Sequence, residues 1–468
     1  MRQIKTLEPS TEAVVDEMLL QERKSCHKKI VVLDDDPTGV QTVHNVSVYT
    51  RWDKESMRQA FEEEQNLFYI LTNSRALTRQ QTIKVHTEIA AAVDEAAKEK
   101  NADYFFISRS DSTLRGHYPL ETEILKECYE RNTGNTIDGE IFCPFFKEGG
   151  RFTIENVHYV KTGEELIPAN ETEFAKDSTF GYVSGSMHEY IEEKTKGQYR
   201  AGEVTCISLE DIRDLSFDKI EAQISGVCDF NKIILNAADY IDLKIFCIAL
   251  FRAMEKGKNY MFRTAASFVK IIGNIEDKPL LKRREMLTKE SSQGGVIIAG
   301  SHTEKTTRQL KALKKLCNIE FIELDVGLVR QKKLFQKEID RCLRAEEEYI
   351  KKGKTVCCYT ARTEISASTG SKEDELKLAV KISDAVQSLI GRLEVTPAFI
   401  VAKGGITSSD VGTKALGVKK ARVLGQIKPG VPVWQIGDES KFPGIPYVIF
   451  PGNVGEEEML KEVVEMLE

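Results

Sequence analysis

Short apolar runs rich in β-branched and aromatic residues recur along this chain. Each closes on polar residues, and helix-forming sequence separates one from the next. KIVVLDDD from Lys29, NVSVYT from Asn45, LFYILTNS from Leu67 and DYFFISRS from Asp103 set the pattern. Between the last two, the alanine- and glutamate-rich stretch from Thr78 to Lys100 predicts a long helix. Short β-rich runs alternating with helices predict an α/β fold with a largely parallel sheet flanked by helices. Ligands of such sheets bind at the carboxyl ends of the strands. That rule gathers Asp34 to Asp36, Thr72 to Arg75 and Ser108 to Arg115 on one rim.

VTCISL from Val204 and KIILNAADY from Lys232 continue the alternation, with a helix expected near Ile241 to Lys256. A polar, helix-prone segment from Asn274 to Gln293 then precedes a second alternation. Its strands are GGVIIAGSHT from Gly294, IEFIELDV from Ile319, KTVCCYTA from Lys354 and PAFIVAKGG from Pro397. A chain of 468 residues is too long for one ordinary core, so two α/β domains are expected. We read residues 1–28 as a polar helical extension, 29–290 as the first domain and 291–468 as the second.

Composition narrows the function. A formal net charge of -7 with no basic stripe argues against a nucleic-acid partner. No run approaches the ~20 apolar residues of a membrane span, and Met1 to Lys29 lacks the apolar run of a signal peptide. The ten cysteines show no C-x-x-C spacing. Cys128, Cys206, Cys228 and Cys247 fall in apolar surroundings, as small core residues do. A cytoplasmic protein acting on small molecules is expected.

The second domain repeats one device three times. A strand runs into Gly300-Ser301, into Gly404-Gly405 with Thr407-Ser408, and into a turn holding Gly452 and Gly455; a helix follows each. Glycine lets backbone approach a phosphate closely, and hydroxyls with helix N-terminal N–H groups bind the anion. Plain turns and caps also use glycine, but three such turns on one predicted rim favour phosphate. Neither a P-loop nor a dinucleotide fingerprint occurs at these places.

The first domain offers acids and bases instead. Asp34, Asp35 and Asp36 follow one strand and precede Pro37-Thr38-Gly39. Crowded carboxylates repel unless a metal, a basic side chain or substrate hydroxyls answer them; the plain alternative is a capped, solvated turn. Arg109, Asp111, Ser112, Thr113 and Arg115 crowd a second strand-to-helix turn. Two arginines can grip a carboxylate, and Asp111 can take a proton from a hydroxyl or orient it. The plain alternative is an N-cap with a local ion pair. Arg75 adds a third guanidinium to the rim. Acids for hydroxyls, arginines for a carboxylate and turns for phosphate suggest phosphoryl transfer to a sugar acid.

These residues carry a resemblance. DDPTG at Asp35 to Gly39, NSRA around Arg75, RSDSTLRG at Arg109 to Gly116, GGITS from Gly404 and PGNVG from Pro451 resemble the four-carbon acid-sugar kinases. The resemblance covers roughly residues 29 to 460. It implies an N-terminal sugar-acid-binding domain and a C-terminal nucleotide-binding domain. It further implies ATP-dependent phosphorylation, with Mg2+, of the C4 hydroxyl of threonate, erythronate or 3-oxo-tetronate. Carried over, Asp35, Asp36, Arg75, Arg109, Ser110, Asp111, Ser112, Thr113 and Arg115 would hold the acid, with Asp111 and Asp35 catalytic. Ser301, Gly404, Gly405, Ile406, Thr407, Gly452 and Asn453 would hold the nucleotide. A homodimer also fits the resemblance.

Two other readings compete. VVLDDDPTGV also resembles the first motif of haloacid-dehalogenase-type phosphatases, with Asp34 as nucleophile, Asp36 as acid/base and Mg2+ required. That reading lacks a later acidic pair and leaves DSTLRG and the glycine turns without a role. A non-catalytic sugar-acid-binding protein is the other, and the three phosphate turns speak against it.

Overall fold

The computed structural model describes residues 5–287, 291–300, 303–361, 372–452 and 454–468. The chain divides into two compact units, Met1–Asp277 and Lys278–Glu468. Both are α/β, each with a mostly parallel sheet flanked by helices.

In the first unit the strands are β1 (Lys29–Asp34), β2 (Ser47–Tyr49), β3 (Leu67–Leu71), β4 (Tyr104–Arg109), β5 (Gly139–Cys143), β6 (Arg151–Ile154), β7 (Val157–Thr162), β8 (Glu165–Pro168), β9 (Thr205–Ile207), β10 (Asn231–Leu235) and β11 (Tyr260–Thr264). The main sheet runs β2-β3-β1-β4-β11-β5-β10-β9, and every neighbouring pair in it is parallel. Each residue of β1, β3 and β4 is buried, because helices cover both faces of a parallel sheet. That is why these strands read as unbroken apolar runs. The order also fixes where a ligand belongs. From β1 the chain passes to the outer strand β2, returns to lay β3 between the two, and then crosses to lay β4 on the other side of β1. The crevice at the carboxyl ends of β1 and β4 is therefore the switch point.

The long helix expected from Thr78 spans Arg79–Lys100. It starts at a Thr78–Gln81 capping box and ends at Asn101, whose φ is 49°. The N-terminal stretch is the helix Pro9–Ser25. It buries Val15 and Leu19 and pairs Asp16 and Glu22 with Lys244 and Arg252 of the helix Tyr240–Glu255. Strands β6, β7 and β8 form a separate antiparallel sheet. Its alternating pattern of burial is weak, and sequence reading missed it.

The second unit contributes β12 (Val296–Ala299), β13 (Ile319–Leu324), β14 (Thr355–Thr360), β15 (Ile400–Lys403), β16 (Lys420–Lys428), β17 (Val431–Ile436) and β18 (Pro446–Phe450). Their order is β13-β14-β12-β15-β18-β17-β16, parallel through β18 and antiparallel thereafter. The switch point here lies between β12 and β15, directly beneath Gly300 and Gly404.

Two expectations need correction. The segment from Asn274 to Gln293 forms, among the described residues, only the short helix Arg283–Met286. Pro279 denies an earlier turn its N–H, and the Leu281 N–H goes instead to the Gln426 carbonyl at 2.8 Å. Cys228 is exposed rather than a core residue, whereas Cys128 and Cys247 are buried as expected. Among the described residues no helix is long and apolar enough to cross a membrane.

Candidate functional site

The first rim is built by strands that end level. Asp34, the last residue of β1, is in register with Leu71 of β3 and Arg109 of β4, and Arg109 with Thr264 of β11. Four chain segments thus emerge side by side, and their first residues form the site.

The three aspartates fare differently. Asp34 is fully buried against Gly39, where any Cβ would overlap its carboxylate. It accepts Arg109 Nη1 at 2.9 Å and the Asp36 N–H at 3.2 Å. Burial outweighs Arg109 and pushes its pKa up to about 7. Asp36 caps the short helix Pro37–Val40 by accepting the Thr38 N–H at 2.8 Å, and its other oxygen pairs with Arg75. Burial opposes that charge, yet Arg75 and Thr38 prevail and lower the pKa. Asp35 lies between them. It accepts the Asp111 N–H at 3.2 Å and sees Arg109 Nη1 only at 3.4 Å. Burial pushes it up to about 6 despite Arg75 and Arg109.

Asp111 is the most tightly held acid. Arg75 Nη1 stands 3.1 Å from one oxygen; Arg115 Nε donates to the other at 2.8 Å, joined by the Thr113 hydroxyl. Burial notwithstanding, the two guanidiniums keep its carboxyl well below the usual carboxylate range. The arginines of the rim are therefore engaged with its own aspartates.

The turn carrying these groups is held from outside. The Ser110 N–H donates to the Thr264 carbonyl at 2.9 Å. The Ser112 carbonyl accepts from the His158 ring at 2.7 Å, that of Thr113 from Tyr182 at 3.1 Å and that of Leu114 from Tyr190 at 2.8 Å. Leu114 has a φ of 70°, a conformation a leucine keeps only where its surroundings enforce it. Burial drives the His158 pKa down to about 4, so its ring is neutral near pH 7. Gly116, at φ 124°, leaves room for Arg263, whose Nη2 lies 2.7 Å from where a Cβ would stand. Arg263 in turn pairs with the buried Glu121, which also accepts from Ser74.

In the second unit the glycine turns converge. A Cβ on Gly300 would meet Thr407 Oγ1 at 2.7 Å, and one on Gly452 would meet the Gly404 Cα at 3.9 Å. The Gly404 N–H donates to the Phe450 carbonyl at 2.8 Å. Beneath them the buried Lys403 donates to the carbonyls of Pro451, at 2.6 Å, and Gly452, at 3.2 Å. Burial, reinforced by Lys305, draws the Lys403 pKa down to about 7. Gly404, at φ 114°, starts the helix Gly405–Asp410, and Ile406 on that turn is exposed. Ser301 and Asn453 lie outside the described residues.

Residues 30–272 match a family model described as a sugar-binding N-terminal domain, and residues 296–460 one described as a nucleotide-binding C-terminal domain. The chain belongs to the four-carbon acid-sugar kinase family. The aspartate–arginine rim of this acid-sugar kinase homologue thus lies in its sugar-binding domain and the glycine turns in its nucleotide-binding domain.

Two solved structures share the fold. The Haemophilus influenzae protein HI1011, of family model DUF1537, is 16% identical with a TM-score of 0.58 over 94% of this chain and 100% of its own. A Salmonella typhimurium LT2 protein described as a putative tRNA synthase is 16% identical with a TM-score of 0.63 over 92% and 98%. At that identity the likeness is one of fold. No curated protein matches the chain.

Sequence reading of this family member missed Glu121, Arg263, His158, Tyr182 and Tyr190. Glu121 lies on a helix with acids all around it, and the others are single polar residues in apolar sequence. Nothing local separates them from core.

Proposed function

We propose that this protein is an ATP-dependent kinase that phosphorylates the terminal C4 hydroxyl of a four-carbon sugar acid: threonate, erythronate or 3-oxo-tetronate. The observation that carries the proposal is Asp35, a buried carboxylate whose pKa burial raises to about 6 although Arg109 Nη1 stands 3.4 Å away, in the sugar-binding domain of a chain that also has a nucleotide-binding domain. A hydroxyl becomes a nucleophile when a base of suitable pKa takes its proton. Asp35 is assigned that role. Asp111, kept ionised by Arg75 and Arg115, is assigned to accept a hydrogen bond from the acid and orient it. Asp36, Arg75, Arg109, Ser110, Ser112, Thr113 and Arg115 complete the acid pocket.

Gly404, Gly405, Ile406, Thr407 and Gly452 are assigned to ATP, together with Ser301 and Asn453. Mg2+ enters on the nucleotide. It keeps several waters and needs only one or two carboxylates besides phosphate oxygens. Bound there, it would neutralise charge on the transferring phosphoryl group.

The phosphatase reading loses its nucleophile. Asp34 is 2% exposed, covered by Gly39 and paired with Arg109, so no phosphorus can reach it.

The test is ADP release from Mg-ATP across threonate, erythronate and 3-oxo-tetronate in both enantiomeric series. We expect release that depends on one acid, with the phosphorylated acid found by mass spectrometry. Release of phosphate from sugar phosphates without ATP would refute the proposal, and silence across the panel would remove the tetronates as substrates.

A further inference from the structure

The arginines that sequence reading gave to a carboxylate are bound to aspartates. Arg75 pairs with Asp36 and Asp111, Arg109 with Asp34 and Asp35, and Arg115 with Asp111. Arg263, deeper, pairs with Glu121. A guanidinium already neutralised at short range offers little net attraction to a further anion.

One arginine of the site differs. Arg151 opens β6 after the turn Gly149-Gly150, where Gly150 takes a φ of 71°. Its guanidinium folds back to donate to the Gly149 carbonyl. It lies over the Phe174 ring, 5.8 Å from the centroid, beside Arg115 at 5.0 Å from the same centroid. Among the described residues it enters no ion pair within 4.0 Å, and its Nε is buried without a hydrogen-bond partner. The charges that act on it are Asp111 and Glu173, which favour its charged form, and Arg115, which opposes it; burial opposes it most. Asp111 is already shared by Arg75 and Arg115, and Glu173 is exposed. A half-buried cation whose buried Nε lacks an acceptor is costly unless an anion completes it.

The element that carries Arg151 is tied to the rim. Thr153, two residues along β6, stands 2.9 Å from His158 Nδ1, and His158 Nε2 holds the Ser112 carbonyl. The small antiparallel sheet is thereby fixed against the turn that bears Asp111.

We infer that Arg151, stacked with Arg115 on Phe174, is the subsite for the carboxylate of the bound acid. The inference rests on the acid-kinase reading above, and it assigns the end of the substrate opposite the reacting hydroxyl. Arg151 is then a specificity-determining residue: it selects acids over the corresponding neutral polyols. The planar guanidinium meets a carboxylate with two parallel N–H···O bonds, for which an ammonium is a partial substitute and an amide a poor one.

The experiment is calorimetric binding to the full-length chain of the panel acids, of the matching alditols and of a non-hydrolysable ATP analogue. Wild type is compared with Arg151→Gln and Arg151→Lys. We expect wild type to prefer acid over alditol by at least about 30-fold, the scale of a paired charge-assisted contact. Arg151→Gln should lose that preference, Arg151→Lys should restore part of it, and the ATP analogue should bind all three alike. Acid affinity unchanged in Arg151→Gln, with wild type binding the acid, overturns this subsite and leaves the kinase reading standing. Equal loss of acid and nucleotide binding in both variants marks a structural role and overturns it too. A wild type that binds the nucleotide and none of the acids overturns the substrate reading and the subsite together.

Discussion

At the scale of residues, the site sorts four carboxylates by what stands beside them. Asp36 and Asp111 share Arg75, and their pKa values fall. Asp34 and Asp35 are buried with weaker compensation, and theirs rise. This separation makes a pH prediction with a definite sign. A base must be ionised to act, so with Asp35 as base kcat/KM rises with pH through about 6 and levels above it. Were Asp111 the base, the rate would be flat over that range, because its carboxyl is ionised throughout. Asp35→Asn should lower kcat by about 10²- to 10⁴-fold, the usual worth of a positioned base, and leave ATP-analogue affinity unchanged. A wild-type profile without an acid limb between pH 5 and about 7 would count against Asp35.

At the scale of elements, much was legible and one part was not. Strands β1, β3 and β4 announced themselves because a strand covered on both faces must be apolar along its length. The rim followed from the rule that loops at carboxyl ends bind. DSTLRG was visible as a crowd of charge. Which charges pair was not visible, since that depends on register: Asp34 meets Arg109 only because β1 and β4 lie side by side with those residues level. The supports of the turn were hidden more deeply. Tyr182 and Tyr190 read as core aromatics, and only the fold turns their hydroxyls onto the carbonyls of Thr113 and Leu114. If that strap positions the site, Tyr190→Phe should destabilise the protein by about 1 to 3 kcal/mol, since it strands a buried carbonyl. The loss would appear as a lower urea midpoint. It should also raise the KM for the acid several-fold while the KM for ATP holds. A stability loss with both KM values unchanged would reduce Tyr190 to a scaffold residue.

At the scale of the whole molecule, the chain holds two compact units, each with its own run of parallel strands and its own switch point. A switch-point crevice is formed by two neighbouring strands, here β1 and β4 of the first unit and β12 and β15 of the second, so each ligand should be recognised by residues of one unit. Reciprocal substitutions test this. Asp111→Asn removes the negative charge and one of the two acceptor oxygens that Arg75 and Arg115 hold in place; the acid should bind at least about 10-fold more weakly, and turnover should fail. The same variant should bind the ATP analogue as wild type does. Gly404→Val places a branched side chain at a φ of 114°, on the turn nearest Gly452. It should abolish nucleotide binding, because a valine tolerates neither that backbone conformation nor the close approach of a phosphate. Acid binding to the folded variant should survive. Each ligand is titrated alone, so coupling between them does not enter. Loss of both ligands in either variant, with the melting temperature of the free protein unchanged, would mean that neither unit recognises its ligand by itself.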